Sequence, residues 1–221
     1  MHQLAPGLHI VDAPQTMFGV PLGTRMTVLQ LDGGVLVHSP VAVDPATVAP
    51  LGTLRWAVAP NTFHHLHVGP WVDAGAEAWA PPKLIAKRPD LSFAGALVPG
   101  VNPFGDEVEV IALQSIDLTQ EVVLLHKPSR TLIVTDLAFH YQADAPWLTK
   151  AFMCSAGGYP GFSSTILERL VMDRPTARTE LKHLLSLDFD RVVMAHGHVL
   201  ETGGRQALAK AFAWLGSEVT T

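Results

Sequence analysis

The chain has 221 residues, a formal net charge of −5 and one cysteine, Cys154. That acidic balance gives no electrostatic footing for nucleic acid or an anionic membrane, and a lone cysteine excludes an internal disulfide or a multi-cysteine zinc ribbon. Charged residues are only 16% against 48% hydrophobic, so a globular chain is expected with a sparingly charged exterior, open to self-association as a homo-oligomer.

Read from the N-terminus, Gly7–Ala13 and Thr27–Leu31 have strand character, and Asp32-Gly33-Gly34 is a hairpin turn leading into Val35–His38. Leu54–Ala59 is a further apolar run closed by Pro60-Asn61. Pro81–Ala86, Glu107–Leu113 and Glu121–His126 are expected to be strands, and Lys127–Arg130 a turn into Thr131–Thr135. Pro146–Phe152 is a short helix candidate. Arg174–Leu187 is the clearest helix, with Leu181, Leu184, Leu185 and Leu187 on one stripe before Asp188. Arg191–Ala195 is the last strand, and Gly204–Leu215 a final helix. Strands, helices and strands in this order imply mixed α/β layers, here a single domain over 1–221. The longest apolar runs, such as Val108–Leu113, fall far short of the roughly 18 residues of a membrane span. Met1–Pro6 has no basic region followed by an apolar stretch, so a cytoplasmic protein is expected.

Histidine carries the chemical signal. Of 11 histidines, three are His64, His65 and His67. Several apolar strands also end in a polar residue able to bind a metal. Val35–Val37 runs into His38, Arg55–Pro60 into Asn61 and the histidine cluster, Thr131–Thr135 into Asp136, and Arg191–Ala195 into His196. Loops at strand ends are where a rigid scaffold brings distant side chains together. Imidazole nitrogens with one carboxylate suit zinc or iron and leave positions open for water and substrate. Each residue also has a plainer reading: exposed imidazoles before a helix, Asp136 as a turn cap, His196 as a turn residue before Gly197.

On these residues the chain resembles a divergent branch of the metallo-β-lactamase-fold superfamily. The resemblance runs from Leu4 to about Leu215. It is carried by RMTVLQLDGGVLVHSPV, PNTFHHLHVGPW, SRTLIVTDLAFH, DRPTARTELKHLL and FDRVVMAHG. It implies a four-layer αββα sandwich with the metal site at one edge. Against the family motif His-x-His-x-Asp-His-x-Gly, aligned on Gly69, His64 matches the second histidine and His67 the third. Thr62 and Leu66 replace the first histidine and the aspartate. The bridging aspartate matches Asp136 and the last histidine His196. The lone later histidine is missing, with Asp117 or Glu121 as substitutes, and His38 stands where the family has an early aspartate.

The resemblance thus implies one ion, zinc or iron, on His67, Asp136 and His196. His64 serves as a fourth ligand or as a base, so that Asp136 and His64 are the catalytic candidates. His65, His140 and His198 are left without assigned roles. Cys154 is expected to be a small buried hydrophobe. Arg25, Arg169, Arg174 and Arg178 are cations within conceivable reach of an anionic substrate. Trp71 is a candidate for the site wall, and the loops Gly19–Arg25 and Val98–Asp106 for substrate choice. The expected function is hydrolysis of a small-molecule ester, lactone, thioester or phosphoester. The alternatives are a non-catalytic ligand- or partner-binding member, or an iron-dependent redox protein.

Overall fold

A computed structural model describes residues 1–216. Strands β1 (His2–Ala5), β2 (Leu8–Ala13), β3 (Thr16–Met17), β4 (Val20–Pro21), β5 (Thr24–Leu31) and β6 (Gly34–His38) come first. A 3₁₀ helix (Pro45–Leu51) leads into β7 (Leu54–Val58), α1 (Val68–Asp73), β8 (Glu77–Ala80), α2 (Pro82–Lys87) and β9 (Gly95–Ala96). Next come β10 (Val108–Ala112), β11 (Val122–His126), β12 (Thr131–Ile133), β13 (Phe139–Tyr141), α3 (Trp147–Ser155), β14 (Gly161–Ser163) and α4 (Ile166–Val171). The described chain closes with α5 (Arg174–Ser186), β15 (Arg191–Val193), α6 (Gly204–Ala211) and a 3₁₀ turn (Ala213–Leu215).

Two sheets dominate. The first has seven strands in the order β1-β2-β5-β6-β7-β8-β9, and the second four in the order β10-β11-β12-β15. Their strands are apolar on both faces because each sheet is covered twice. Alternation with period two sorts the side chains. In β11, Val122 and Leu124 face the first sheet, where they meet Leu29, Leu36 and Trp56. Val123 and Leu125 face the other way, onto Leu181 and Leu184 of α5 and Leu208 of α6. On the outer face of the first sheet, Met26, Val28 and Val37 pack against Trp71 of α1 and Val48 of the 3₁₀ helix. The result is the expected αββα order of layers.

Most expected strands and helices are present. Pro81–Ala86 is a correction: the segment is helix α2, and the strand ends just before it at Ala80. Proline in the first turn is preset for a helix and gives up an N–H that has no partner there anyway. Asp173 caps α5 through the Thr176 N–H at 3.0 Å, with Pro175 in the first turn. No helix among the described residues is long and apolar enough to cross a membrane.

Candidate metal centre

The carboxyl ends of β6, β7, β12 and β15 open on one edge of the sandwich. Beyond β7 the chain turns at Asn61 into the histidine cluster, beyond β12 it reaches Asp136, and beyond β15 it reaches His196. Here His64 Nε2 and His196 Nε2 lie 3.2 Å apart. Each is 3.4 Å from Asp136 Oδ1. The three atoms form a nearly equilateral triangle.

Every member is held from behind. A carbonyl only accepts, so His196 Nδ1, 2.7 Å from the Gly23 oxygen, is the protonated nitrogen. Its Nε2 is thereby turned toward the other two groups. Phe139 stacks on the same ring, with centroids 5.6 Å apart and planes 13° from parallel. His64 Nδ1 lies 2.8 Å from the Ser39 hydroxyl. Asn61, fully buried, accepts the main-chain N–H groups of Phe63 and His64 on its Oδ1, both at 2.8 Å. Its Nδ2 donates to Asp136 Oδ2 at 2.7 Å and to the Thr135 hydroxyl at 3.0 Å. One side chain thus fixes both the histidine loop and the aspartate. Behind Asp136 the buried Glu121 accepts the main-chain N–H groups of Thr135 at 2.7 Å and Asp136 at 2.9 Å.

Charge follows from this packing. Burial pushes the Asp136 carboxyl up, but the His64 charge and hydrogen bonds from both imidazoles more than offset it and leave it far below the usual range. Burial and then the Asp136 charge push Glu121 up to about 7, against the pull of the Thr135 N–H. His38 is forced the other way, to about 3, by burial and then by the His64 charge, with the Val122 backbone opposing.

The spacing suits a cation. For nitrogen and oxygen ligands at about 2.0–2.1 Å, the edge of a tetrahedron is about 3.3–3.4 Å, the size of the observed triangle. Among the described residues this trio is the one group of three or more His, Cys, Asp or Glu whose ligand atoms converge this closely.

A cavity of about 560 Å³ opens above the trio. Its walls come from the β3–β4 hairpin (Met17, Phe18), from Phe63 and Leu66 beside the histidines, and from α3 (Phe152) and α4 (Leu167).

No family model matches the sequence, and no curated protein matches it. Solved structures do. The metallo-β-lactamase FIM-1 from Pseudomonas aeruginosa, in its mono-zinc form, superposes with a TM-score of 0.68 at 10% identity, over 100% of this chain and 96% of that one. A metallo-β-lactamase from Erythrobacter litoralis gives 0.69 at 10% identity, over 96% and 94%. One from Hirschia baltica gives 0.66 at 10% identity, over 96% and 95%. The chain has the metallo-β-lactamase fold.

Within the metallo-β-lactamase fold this chain is divergent, and the expected residues divide as follows. His64, Asp136 and His196 come together. His67, expected as a ligand, is outside that group. It stands at the start of α1, half-buried, and lines the cavity. His65 is buried away from the centre, with Nδ1 2.8 Å from the Arg88 guanidinium. Asp117 is exposed and paired with Lys83 at 2.6 Å, which leaves Glu121 as the carboxylate behind the site. His38 is buried at the end of β6. His140 and His198 lie beside the last loop, where His198 pairs with Asp144 at 2.9 Å. Cys154 is exposed rather than buried, because it falls on the solvent face of α3 while Met153 takes the inner one.

Two further expectations need correcting. Trp71 lies in the core under the first sheet and not on the site wall. The loop Val98–Asp106 does not reach the cavity, because Phe104 anchors it between the sheets against Trp56 and Trp79. Leu22 and Thr24 of the other named loop do line it. Asn61, Ser39 and the Gly23 carbonyl were missed as supports. Asn61, directly before the histidine cluster, was the one with a sequence signal.

Proposed function

We propose that this chain is a metal-dependent hydrolase of small molecules, with one zinc or iron ion held by His64, Asp136 and His196. The carrying observation is the triangle of 3.2, 3.4 and 3.4 Å drawn by two imidazole nitrogens and one carboxylate oxygen. When bound, such an ion supplies positive charge that polarises a carbonyl oxygen and acidifies water. The chain supplies the rest. Gly23 and Ser39 fix the two imidazoles, Asn61 and Glu121 fix Asp136, and the apolar walls exclude bulk water. Asp136 and His64 face the reacting atoms. His67, on the wall and outside the trio, is free to carry a proton to or from the leaving group.

Metal analysis and turnover test this together. Purified protein should carry about one equivalent of zinc or iron, and the metal-loaded form should cleave a panel of p-nitrophenyl esters, lactones and thioesters. His196→Ala and Asp136→Asn should lose both. A metal-free protein indifferent to chelator would overturn the reading in favour of a non-catalytic binding protein. That second reading draws on Leu66, an apolar residue 60% exposed at the position of the motif's aspartate.

A further inference from the structure

The cavity over the trio is nearly all apolar, and apart from its histidines its ionisable lining residues are all acidic. We infer that it takes an uncharged molecule with an extended apolar acyl or aryl arm, cleaved as an ester or lactone, and not a phosphoester or a carboxylate-bearing ring. This rests on the hydrolytic reading above for the cleavage, and on the cavity alone for the binding preference.

The walls come first. Met17, Phe18, Phe63, Leu66, Phe152 and Leu167 are all at least 37% exposed and all line the cavity. Phe18, 94% exposed on the tip of the β3–β4 hairpin, has no packing role within the chain. Apolar residues gathered at one mouth mark a binding site rather than scattered surface. At about 560 Å³ the space falls within the range that buries a small-molecule ligand.

The charges come second. Among the described residues the acidic groups lining the cavity are Glu121, Asp136 and Glu168, and no lysine or arginine joins them. Phosphate and carboxylate groups are held by guanidinium, ammonium or a free helix N-terminus. Arg169, on the same helix as Leu167, does not line the cavity, and the bases nearest it are engaged elsewhere. Arg25 lies 2.7 Å from Asp12 and donates to the Met194 carbonyl at 2.9 Å. Lys87 donates to the Thr62 carbonyl at 2.8 Å. Of the other arginines, Arg178 donates to the Leu215 carbonyl at 2.6 Å and Arg174 sits over the Trp214 ring. The start of α4, on the cavity wall, is closed by its own capping box. Glu168 accepts the Thr165 N–H at 2.6 Å, and the Thr165 hydroxyl accepts the Leu167 N–H at 3.2 Å. Away from the trio and its imidazoles, a substrate anion in this space would meet carboxyl groups and hydrocarbon.

Ester hydrolysis here bonds the oxygen of one water to the acyl carbon and breaks the acyl C–O bond. One proton goes to the leaving alkoxide, and the other is released as the product carboxylic acid ionises.

The test compares equal lengths with and without a terminal charge, on zinc-loaded protein. Across p-nitrophenyl butyrate, hexanoate and octanoate, kcat/KM should climb by up to about fourfold per added methylene. The p-nitrophenyl monoester of octanedioic acid should fall at least tenfold below the octanoate. Octanamide should bind at least tenfold tighter than the monoamide of octanedioic acid by calorimetry, with zinc and after chelator treatment. Leu167→Lys, on the exposed wall, should narrow or reverse both ratios. Equal handling of charged and uncharged partners, no dependence on chain length, or no binding of octanamide overturns the inference. Octanamide preference without turnover of any ester upholds the cavity assignment and sinks the hydrolase reading. Turnover without preference does the reverse.

Discussion

The Asn61 carboxamide donates to Asp136 Oδ2 at 2.7 Å while its own oxygen accepts the His64 main-chain N–H at 2.8 Å. Two ligands 72 positions apart are therefore aimed by a single buried side chain. Asn61→Leu keeps the size of the residue and removes all four hydrogen bonds. It should weaken zinc binding by about 10- to 100-fold, the usual effect of losing a ligand's supporting partner, measured by competition with a chromogenic chelator. The orphaned main-chain N–H groups should cost a further 1–3 kcal/mol or so in urea unfolding.

Metal itself should stabilise the fold, since the trio converges only once the strands are assembled. Zinc at a hundred times its Kd adds about 2.7 kcal/mol. For a chain of this size that raises the melting midpoint by roughly 5–11 °C. Excess chelator should reverse the rise, and His196→Ala should show none. Differential scanning fluorimetry reads all three, and a rise that survives in His196→Ala would place the ion elsewhere.

Gly197 follows His196 with φ at +84°, and a Cβ there would come within 2.2 Å of the His140 carbonyl oxygen. Both the left-handed backbone and the collision penalise any side chain. Gly197→Ala should lose about 3 kcal/mol or more, a drop of roughly 6–12 °C in melting midpoint. Gly19→Ala, also left-handed but with open space around it, should lose less.

His38 is 1% exposed and its Nε2 has no hydrogen-bond partner. Its folded-state pKa, about 3, lies below the ordinary histidine value of 6.5. A depressed pKa contributes stability that is present above 6.5 and is lost as pH falls toward 3, with a slope approaching about 1.4 kcal/mol per pH unit. His38→Gln should flatten that part of the unfolding profile, measured by urea titrations from pH 7 to 4. An unchanged slope would assign the acid sensitivity to other groups.

The sequence made the strand ends legible because a buried strand that stops at a polar residue is conspicuous. Thr131–Val134 before Asp136 and Arg191–Met194 before His196 are of this kind. The convergence of His64 rather than His67 was not legible. Three residues apart in a loop, they differ only in which way the chain turns into α1. Gly23 holds His196 through a main-chain oxygen, which no residue type announces. Pro81–Ala86 read as a strand because its composition is apolar, whereas Pro82 in a first turn sets a helix. The cavity walls were hidden for a different reason. Met17, Phe18 and Leu167 are ordinary apolar letters in short elements, and only tertiary placement gathers them. Phe104 misled in the opposite direction, since its glycine- and proline-rich loop looks superficial yet is pinned between the sheets.

The main-chain bonds from Leu22 and Gly23 back to the Gln15 carbonyl, at 2.9 and 3.1 Å, close a small ring of chain. Its tip carries Phe18 over the cavity, and its base presents the oxygen that orients His196. Reshaping the tip to admit a bulkier guest therefore leaves the imidazole undisturbed only while this closure persists. Insertions belong between residues 17 and 20, and a change to the ring's base would trade selectivity against grip on the cation.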